Sequence, residues 1–355
     1  MSLDDVQSIA SLDKSNARGS IEMIPLQIKS AWEDSFKIDF PEKFSKAQNI
    51  VIAGMGGSAY GAHIAKSLFD LTCPVPIFLA NGYRLPEFVD SRTLVILCSY
   101  SGSTEETISC ASQAKERTSL ISAVTSGGKL TDFLHSNDFP AYIFNPEFNP
   151  SNQPRIGVGY MVTGLIGLLS RLKYINLQTE EVMATVVFLK EYGKSLIPSH
   201  ETTHNDAKKL TGIIHQSIPV FISADFLEGA THAIRNPIHE TGKQFGLNFT
   251  VPELNHHLLE GLQFPDFLKQ DLKIIFIQSK LYEKRNQKRI NLTYDVVKKN
   301  GINTQNISLK SQTRFSQTME LIQFGGWLTF YMAILNGIDP SPVHWVDYFK
   351  SELLK

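Results

Sequence analysis

Cysteine is scarce in this chain: three residues in 355, Cys73, Cys98 and Cys110. The odd number and the lack of a C-x-x-C pair argue against a disulfide framework and a thiolate zinc site, and point to a reducing compartment. An excess of either charge is lacking too. Lys and Arg number 34 against 35 Asp and Glu, a formal net charge of −1, and no block of like charges stands out. Nucleic-acid and membrane-surface proteins usually carry a basic patch, so neither partner is expected. Long hydrophobic runs are also missing. The most apolar stretch, Gly157 to Leu169, is followed by Arg171 and Lys173. It falls short of the roughly 20 apolar residues of a bilayer span, and a buried helix is expected instead. The first residues include Asp4 and Asp5 and no apolar leader, so a cytoplasmic location is expected.

What the chain does contain is apolar material for about two domains, with 42% hydrophobic and 19% charged residues. Short apolar runs lie at Ile50–Ala53, Val75–Ala80, Thr93–Cys98, Leu120–Val124 and Ala141–Phe144. Polar-periodic segments separate them; Tyr60, Ile64 and Leu68 recur every four residues and give a helix one apolar stripe. Alternating strands and helices imply a parallel, doubly wound sheet. The segment from Asn145 to Pro154 holds three prolines and reads as a breaker, so units 1–153 and 154–355 are expected. Strands reappear at Pro219–Ser223, Ile274–Gln278 and Asn303–Leu309. Val220-Phe221-Ile222-Ser223 before Gly229-Ala230 faintly echoes Val51-Ile52-Ala53-Gly54 before Gly61-Ala62. This suggests a duplicated fold whose second copy lost its glycine and serine signals, with two unrelated α/β domains as the alternative.

Two loops in the first unit carry chemistry. Gly54-Met55-Gly56-Gly57-Ser58 follows the first strand. Glycines let the backbone approach an anion, and the next helix offers free N–H groups and a positive dipole end. The same loop fits a dinucleotide fingerprint, which demands an acid at the end of the second strand; that strand ends at Ala80-Asn81. A tight turn serving packing alone is the third reading. The second loop, Ser99-Tyr100-Ser101-Gly102-Ser103-Thr104, places hydroxyls before a helix, with Ser103 and Glu106 in capping-box spacing. Hydroxyls and a helix N-terminus can surround a phosphate without a lysine.

Taken together, Gly54-x-Gly56-Gly57-Ser58 and Ser99-x-Ser101-Gly102-Ser103-Thr104 resemble the sugar isomerase (SIS) fold. The resemblance implies two SIS-type, flavodoxin-like domains and phosphate binding by Gly57, Ser58, Ser99, Ser101 and Thr104. Further along stand Pro154-Arg155, His239-Glu240-Thr241-Gly242-Lys243, Pro252-Glu253-Leu254-Asn255-His256-His257 and Asp339-Pro340-Ser341-Pro342. Their order resembles the bifunctional phosphoglucose/phosphomannose isomerases over nearly the whole chain. That resemblance implies aldose–ketose isomerisation of fructose 6-phosphate with glucose and mannose 6-phosphates through a cis-enediol. It implies Glu240 as the base that moves the proton between C2 and C1. His256 and Lys350 match the ring-opening groups, and Arg155 the cation beside the enediolate. Ser341 matches the small hydroxyl that leaves room for both C2 epimers. Neither cofactor nor metal is expected, and a homodimer is, with His256 reaching the neighbouring subunit's site. The sequence departs from the pattern where His257 and Leu258 follow the histidine, and at Ala233 and Arg235 ahead of the glutamate. A phosphosugar-binding protein without catalysis, or an isomerase of another phosphosugar, is the alternative reading.

His200-Glu201-Thr202-Thr203-His204 matches the zinc-protease pattern H-E-x-x-H, which works only when both imidazoles share one helix face. Pro198 just before it and two β-branched residues inside it disfavour that helix.

Overall fold

Both units are built on parallel sheets with the same winding. The computed structural model describes residues 2–353 and 355. Three helices, α1 (Val6–Leu12), α2 (Ala17–Glu22) and α3 (Ile24–Ser35), precede the first sheet. Strands β1 (Asn49–Gly54), β2 (Ile77–Ala80), β3 (Thr93–Ser99), β4 (Ile121–Thr125) and β5 (Tyr142–Ile143) follow, with helices α4 (Tyr60–Phe69), α5 (Glu105–Arg117) and α6 (Gly128–His135) between them. Helices α7 (Val158–Arg171), α8 (Thr179–Lys194) and α9 (Asp206–Ile214) lead to the second sheet. That sheet holds β6 (Ile218–Ala224), β7 (Leu247–Val251), β8 (Leu272–Gln278) and β9 (Asn303–Ser308). Its helices are α10 (Glu228–Glu240), α11 (Leu268–Asp271) and α12 (Lys284–Lys299). The long α13 (Arg314–Leu335) and then α14 (His344–Leu353) close the chain.

The first sheet runs β2-β1-β3-β4-β5 and the second β7-β6-β8-β9. All pairings are parallel. This is the flavodoxin-like order, in which the winding reverses between the first and third strands and ligands sit beyond their carboxyl ends. The glycine loop leaves β1 and the serine loop leaves β3, so the two flank that switch point. Central strands such as β3 are buried along their whole length, which explains their unbroken apolar runs.

The apolar stretch from Gly157 forms α7, buried at every residue from Val158 to Leu169. It packs on α3, α4 and β4. Cover of the first sheet therefore extends past the boundary expected at 153/154. Helix α13 spans the second unit, touching α8, α9 and α10. Between the two sheets, α4 and α10 lie against each other.

The second switch point holds an anion of its own. Asp225 follows β6 at φ +49°, the same value as Gly56 after β1. Its carboxylate accepts hydrogen bonds from the Glu283 N–H (2.8 Å) and the Asn286 side-chain amide (2.6 Å) at the start of α12. The Glu283 carboxylate, at the N-cap of α12, accepts in turn from the Arg285 (2.8 Å) and Asn286 (3.3 Å) N–H groups. Carboxylates thus occupy the helix N-terminus that the first unit leaves open, in keeping with the lack of phosphate signals in the second unit.

The H-E-x-x-H match does not form one helix. His200 sits in a bend and Thr202–His204 in a 3₁₀ turn. The His200 carbonyl instead accepts a hydrogen bond from the buried Lys208 ammonium at 2.7 Å, beside Pro198 O at 2.8 Å and Asp4 at 3.0 Å. Among the described residues no helix is long and apolar enough to cross a membrane.

Candidate active site

The two first-unit loops are tied together by their own hydroxyls. Ser58 Oγ accepts from the Tyr100 N–H at 2.8 Å, joining the glycine loop to the serine loop. Ser99 Oγ lies 2.9 Å from Thr104 Oγ1, and Ser101 Oγ accepts from the Ser103 N–H at 3.3 Å. The capping box expected from Ser103 and Glu106 is not formed. Thr104 is the N-cap of α5, no side chain caps the helix, and Ser103 Oγ turns back to the Ser101 carbonyl. The tight approach of the neighbouring Gly127 turn explains the shift. Gly102 sits at φ +65°, and a Cβ there would lie 1.6 Å from the Gly127 carbonyl oxygen. The first N–H groups of α5 have no intrahelical partner and no side-chain cap, beside the hydroxyls of Ser99, Ser101 and Thr104.

Arg155 links these loops to the second unit. Its backbone lies against Gly57, where a Cβ would stand 3.2 Å from Arg155 N. Its guanidinium is buried and almost fully engaged. Nε donates to Thr241 Oγ1 (2.8 Å), Nη1 to Gln153 Oε1 (2.8 Å), and Nη2 to the carbonyls of Pro340 (2.9 Å) and Ser341 (2.6 Å). Of the five N–H groups a guanidinium owns, four are spent on protein acceptors. Nη1 also approaches Glu240 Oε2 at 3.8 Å. Burial pulls Arg155 below its ordinary pKa, opposed by the charges of Glu240, Asp347 and Asp339.

Glu240 is the last residue of α10. Pro237 removes one N–H from that helix, and its carbonyl collects both Thr241 N (2.8 Å) and Gly242 N (2.9 Å), which ends the helix there. Thr241 then turns inward to Arg155, and Glu240 faces a cleft of about 790 Å³. Lys243, Asp339, His344 and Trp345 line the same cleft. Ser341 is buried beside Arg155, and its Oγ finds no partner among the described residues.

Arg155, Glu240, Ser341 and Gly57 therefore form one connected group, with Ser58, Ser99, Ser101 and Thr104 in the adjoining loops. His256 and Lys350 stand outside it. His256 closes an exposed 3₁₀ turn after β7. Its neighbour His257 is bonded to Glu253 at 2.9 Å, and His256 itself has no bonded partner among the described residues. Lys350 projects from α14, whose Trp345, Tyr348 and Phe349 are 85%, 58% and 62% exposed. Gln153, Thr241 and Lys243 escaped the sequence reading. The first two look like ordinary turn polars, and only the spacing Glu240-Thr241-Gly242-Lys243 hinted that a second charge followed the glutamate.

Known proteins match both units of the fold. Residues 43–130 match the SIS domain family, and residues 203–353 match the family described as the bacterial phospho-glucose isomerase C-terminal SIS domain. A bifunctional phosphoglucose/phosphomannose isomerase from Caldicellulosiruptor bescii is 31% identical over 339 residues, 94% of this chain and 98% of its own. Another of that name, from Thermoplasma volcanium, is 28% identical over 94% of this chain and 99% of its own. A hypothetical protein from Thermus thermophilus has a crystal structure that superimposes with a TM-score of 0.74 at 14% identity, over 98% of this chain and 92% of its own.

Proposed function

This chain belongs to the bifunctional phosphoglucose/phosphomannose isomerase family, and from that premise we propose how its residues carry the reaction. It is an isomerase that interconverts phosphosugars. The reading at residue level is that fructose 6-phosphate exchanges with glucose 6-phosphate and mannose 6-phosphate through a cis-enediol. Gly57, Ser58, Ser99, Ser101, Thr104 and the open N-terminus of α5 hold the phosphate. In the open-chain aldose Glu240 takes the proton from C2; the C–H electron pair becomes the C1–C2 double bond and the C1 carbonyl pair moves onto O1. The C2 hydroxyl proton passes to O1, the O2 pair forms the C2 carbonyl, and the double-bond pair takes the proton back from Glu240 at C1.

The observation that carries this reading is the position of Arg155. One residue packs its backbone on Gly57 and sets its guanidinium 3.8 Å from Glu240. Its Nε also holds Thr241, the residue after Glu240, at 2.8 Å, and so sets that carboxylate relative to the phosphate loops. Arg155 thus acts by positioning, since most of its donors are occupied. The unpartnered, buried Ser341 hydroxyl supports a role in accepting either C2 epimer. The exposed aromatic face of α14 and the exposed His256 support a homodimer in which His256, with Lys350, serves ring opening at a shared site.

Glu240→Gln tests the base. The variant should bind fructose 6-phosphate with an unchanged Kd and lose turnover by about 10³-fold or more, since general-base catalysis contributes about 10²–10⁴. Turnover within tenfold of the parent protein would remove Glu240 from the mechanism.

A further inference from the structure

We propose that Lys243 is a catalytic residue, its ammonium donating a hydrogen bond to the sugar oxygen on which negative charge builds as the C2 proton leaves. This rests on the reading of Glu240 as the base. Charge must develop on O1 in that step: the C2–H bond breaks, its electron pair forms the C1–C2 double bond, and the carbonyl pair moves onto O1. An oxyanion of this kind needs a fixed donor close by.

Arg155 is the family's expected candidate, but four of its five N–H groups are held by Thr241, Gln153, Pro340 and Ser341. Lys243 lies three residues beyond Glu240 and lines the same cleft. Its ammonium spends one donor on the Glu240 carbonyl, which leaves two of three for a substrate. The backbone is held unusually at this point. Lys243 adopts φ +53°, a conformation that L side chains rarely take and that recurs at functional sites. A glycine directly precedes it and could have taken the left-handed position. Gly242 is spent otherwise: a Cβ there would meet Met332 Sδ at 2.6 Å.

The electrostatics agree with this placement. Partial withdrawal from water, then the Arg155 charge, bring the Lys243 ammonium down to about 8, against the pull of Glu240 and Asp339. His239 and His344 complete the titratable wall of the cleft. The acting form is protonated, so turnover falls as pH rises through about 8.

Three variants test this on the full chain with glucose 6-phosphate, the substrate whose C2 proton leaves. Lys243→Met should lower kcat about 10²–10³-fold, as the loss of one oxyanion donor does, with KM changed little because the phosphate loops are untouched. Lys243→Arg should restore part of kcat and move the alkaline limb of the kcat profile to higher pH. Lys243→Gly removes the ammonium and relieves the backbone, so its Tm should hold or rise while kcat stays low. A lysine that merely caps α10 would lower Tm in Lys243→Gly and leave the alkaline limb in place in every variant; that result overturns the proposal. So does a kcat within fivefold of the parent in Lys243→Met. Turnover kept by Glu240→Gln would overturn the Glu240 reading by itself and is read separately from the three Lys243 variants.

Discussion

Replacing Arg155 removes a knot rather than a surface charge. Arg155→Ala deletes four hydrogen bonds from a buried guanidinium. Bonds to charged groups contribute about 1.5–3 kcal/mol each, but they are not additive and the guanidinium's burial cost is recovered. Removing one partner from a buried charged cluster costs about 3–5 kcal/mol. The Glu240 pairing adds little, because that side chain is 32% exposed and 3.8 Å away. A loss of about 3 kcal/mol follows. With a urea dependence of about 3 kcal/mol per M, the unfolding midpoint should drop by about 1 M. Arg155→Lys keeps the charge but cannot bridge four acceptors in a fixed plane. Glu240 then loses its tether to Gly57, and a misplacement of about 1 Å costs roughly 10²-fold in kcat. A midpoint unchanged within about 0.2 M for Arg155→Ala, with kcat intact in Arg155→Lys, would refute the positioning argument.

Two further perturbations probe other parts of the account. Gly102→Ala forces a Cβ toward the Gly127 carbonyl at a left-handed φ; the serine loop must move, and KM for the sugar phosphate should rise at least tenfold while circular dichroism stays native. An unchanged KM would show that this loop does not hold the phosphate. His63 and His232 stack at 4.1 Å between α4 and α10. Burial lowers both, and for His232 the His63 and Arg235 charges add to it, bringing it to about 4. Between the ordinary value near 6.5 and about 4, the unfolded chain binds more protons than the folded one. This contribution to stability is therefore complete above about pH 6.5 and fades as pH falls through that window. His232→Gln should flatten the dependence of Tm on pH there, and an unaltered slope would count against the pair.

Much of the fold was legible because parallel strands buried on both faces leave unbroken apolar runs. Ile50–Ala53 and Thr93–Cys98 are central to β1 and β3. β7 was less visible: Leu247-Asn248-Phe249-Thr250-Val251 is a half-exposed edge strand and alternates apolar with polar. The glycine and serine loops were readable because their glycines and hydroxyls are local in sequence. The rest of the site was not, because it is assembled across the chain. Gln153, Thr241 and Pro340 matter only through Arg155, which reaches 86 residues to Thr241 and 185 to Pro340. Lys243 was hidden by Gly242. A glycine after a helix normally takes the left-handed turn, yet here packing against Met332 claims it and the strain falls on the lysine. The capping-box reading failed for a similar reason: Gly127 crowds Gly102 and makes Thr104, not Ser103, the cap.

The central claim is that Glu240 carries a proton between C2 and C1 of a sugar held by the Ser99–Thr104 loop. Fructose 6-phosphate incubated with the protein in deuterated water tests it most directly. The account predicts deuterium at C2 of the glucose 6-phosphate and mannose 6-phosphate formed, with none in either from Glu240→Gln. Equal labelling by Glu240→Gln, or formation of either product by that variant at the parent's rate, would contradict it.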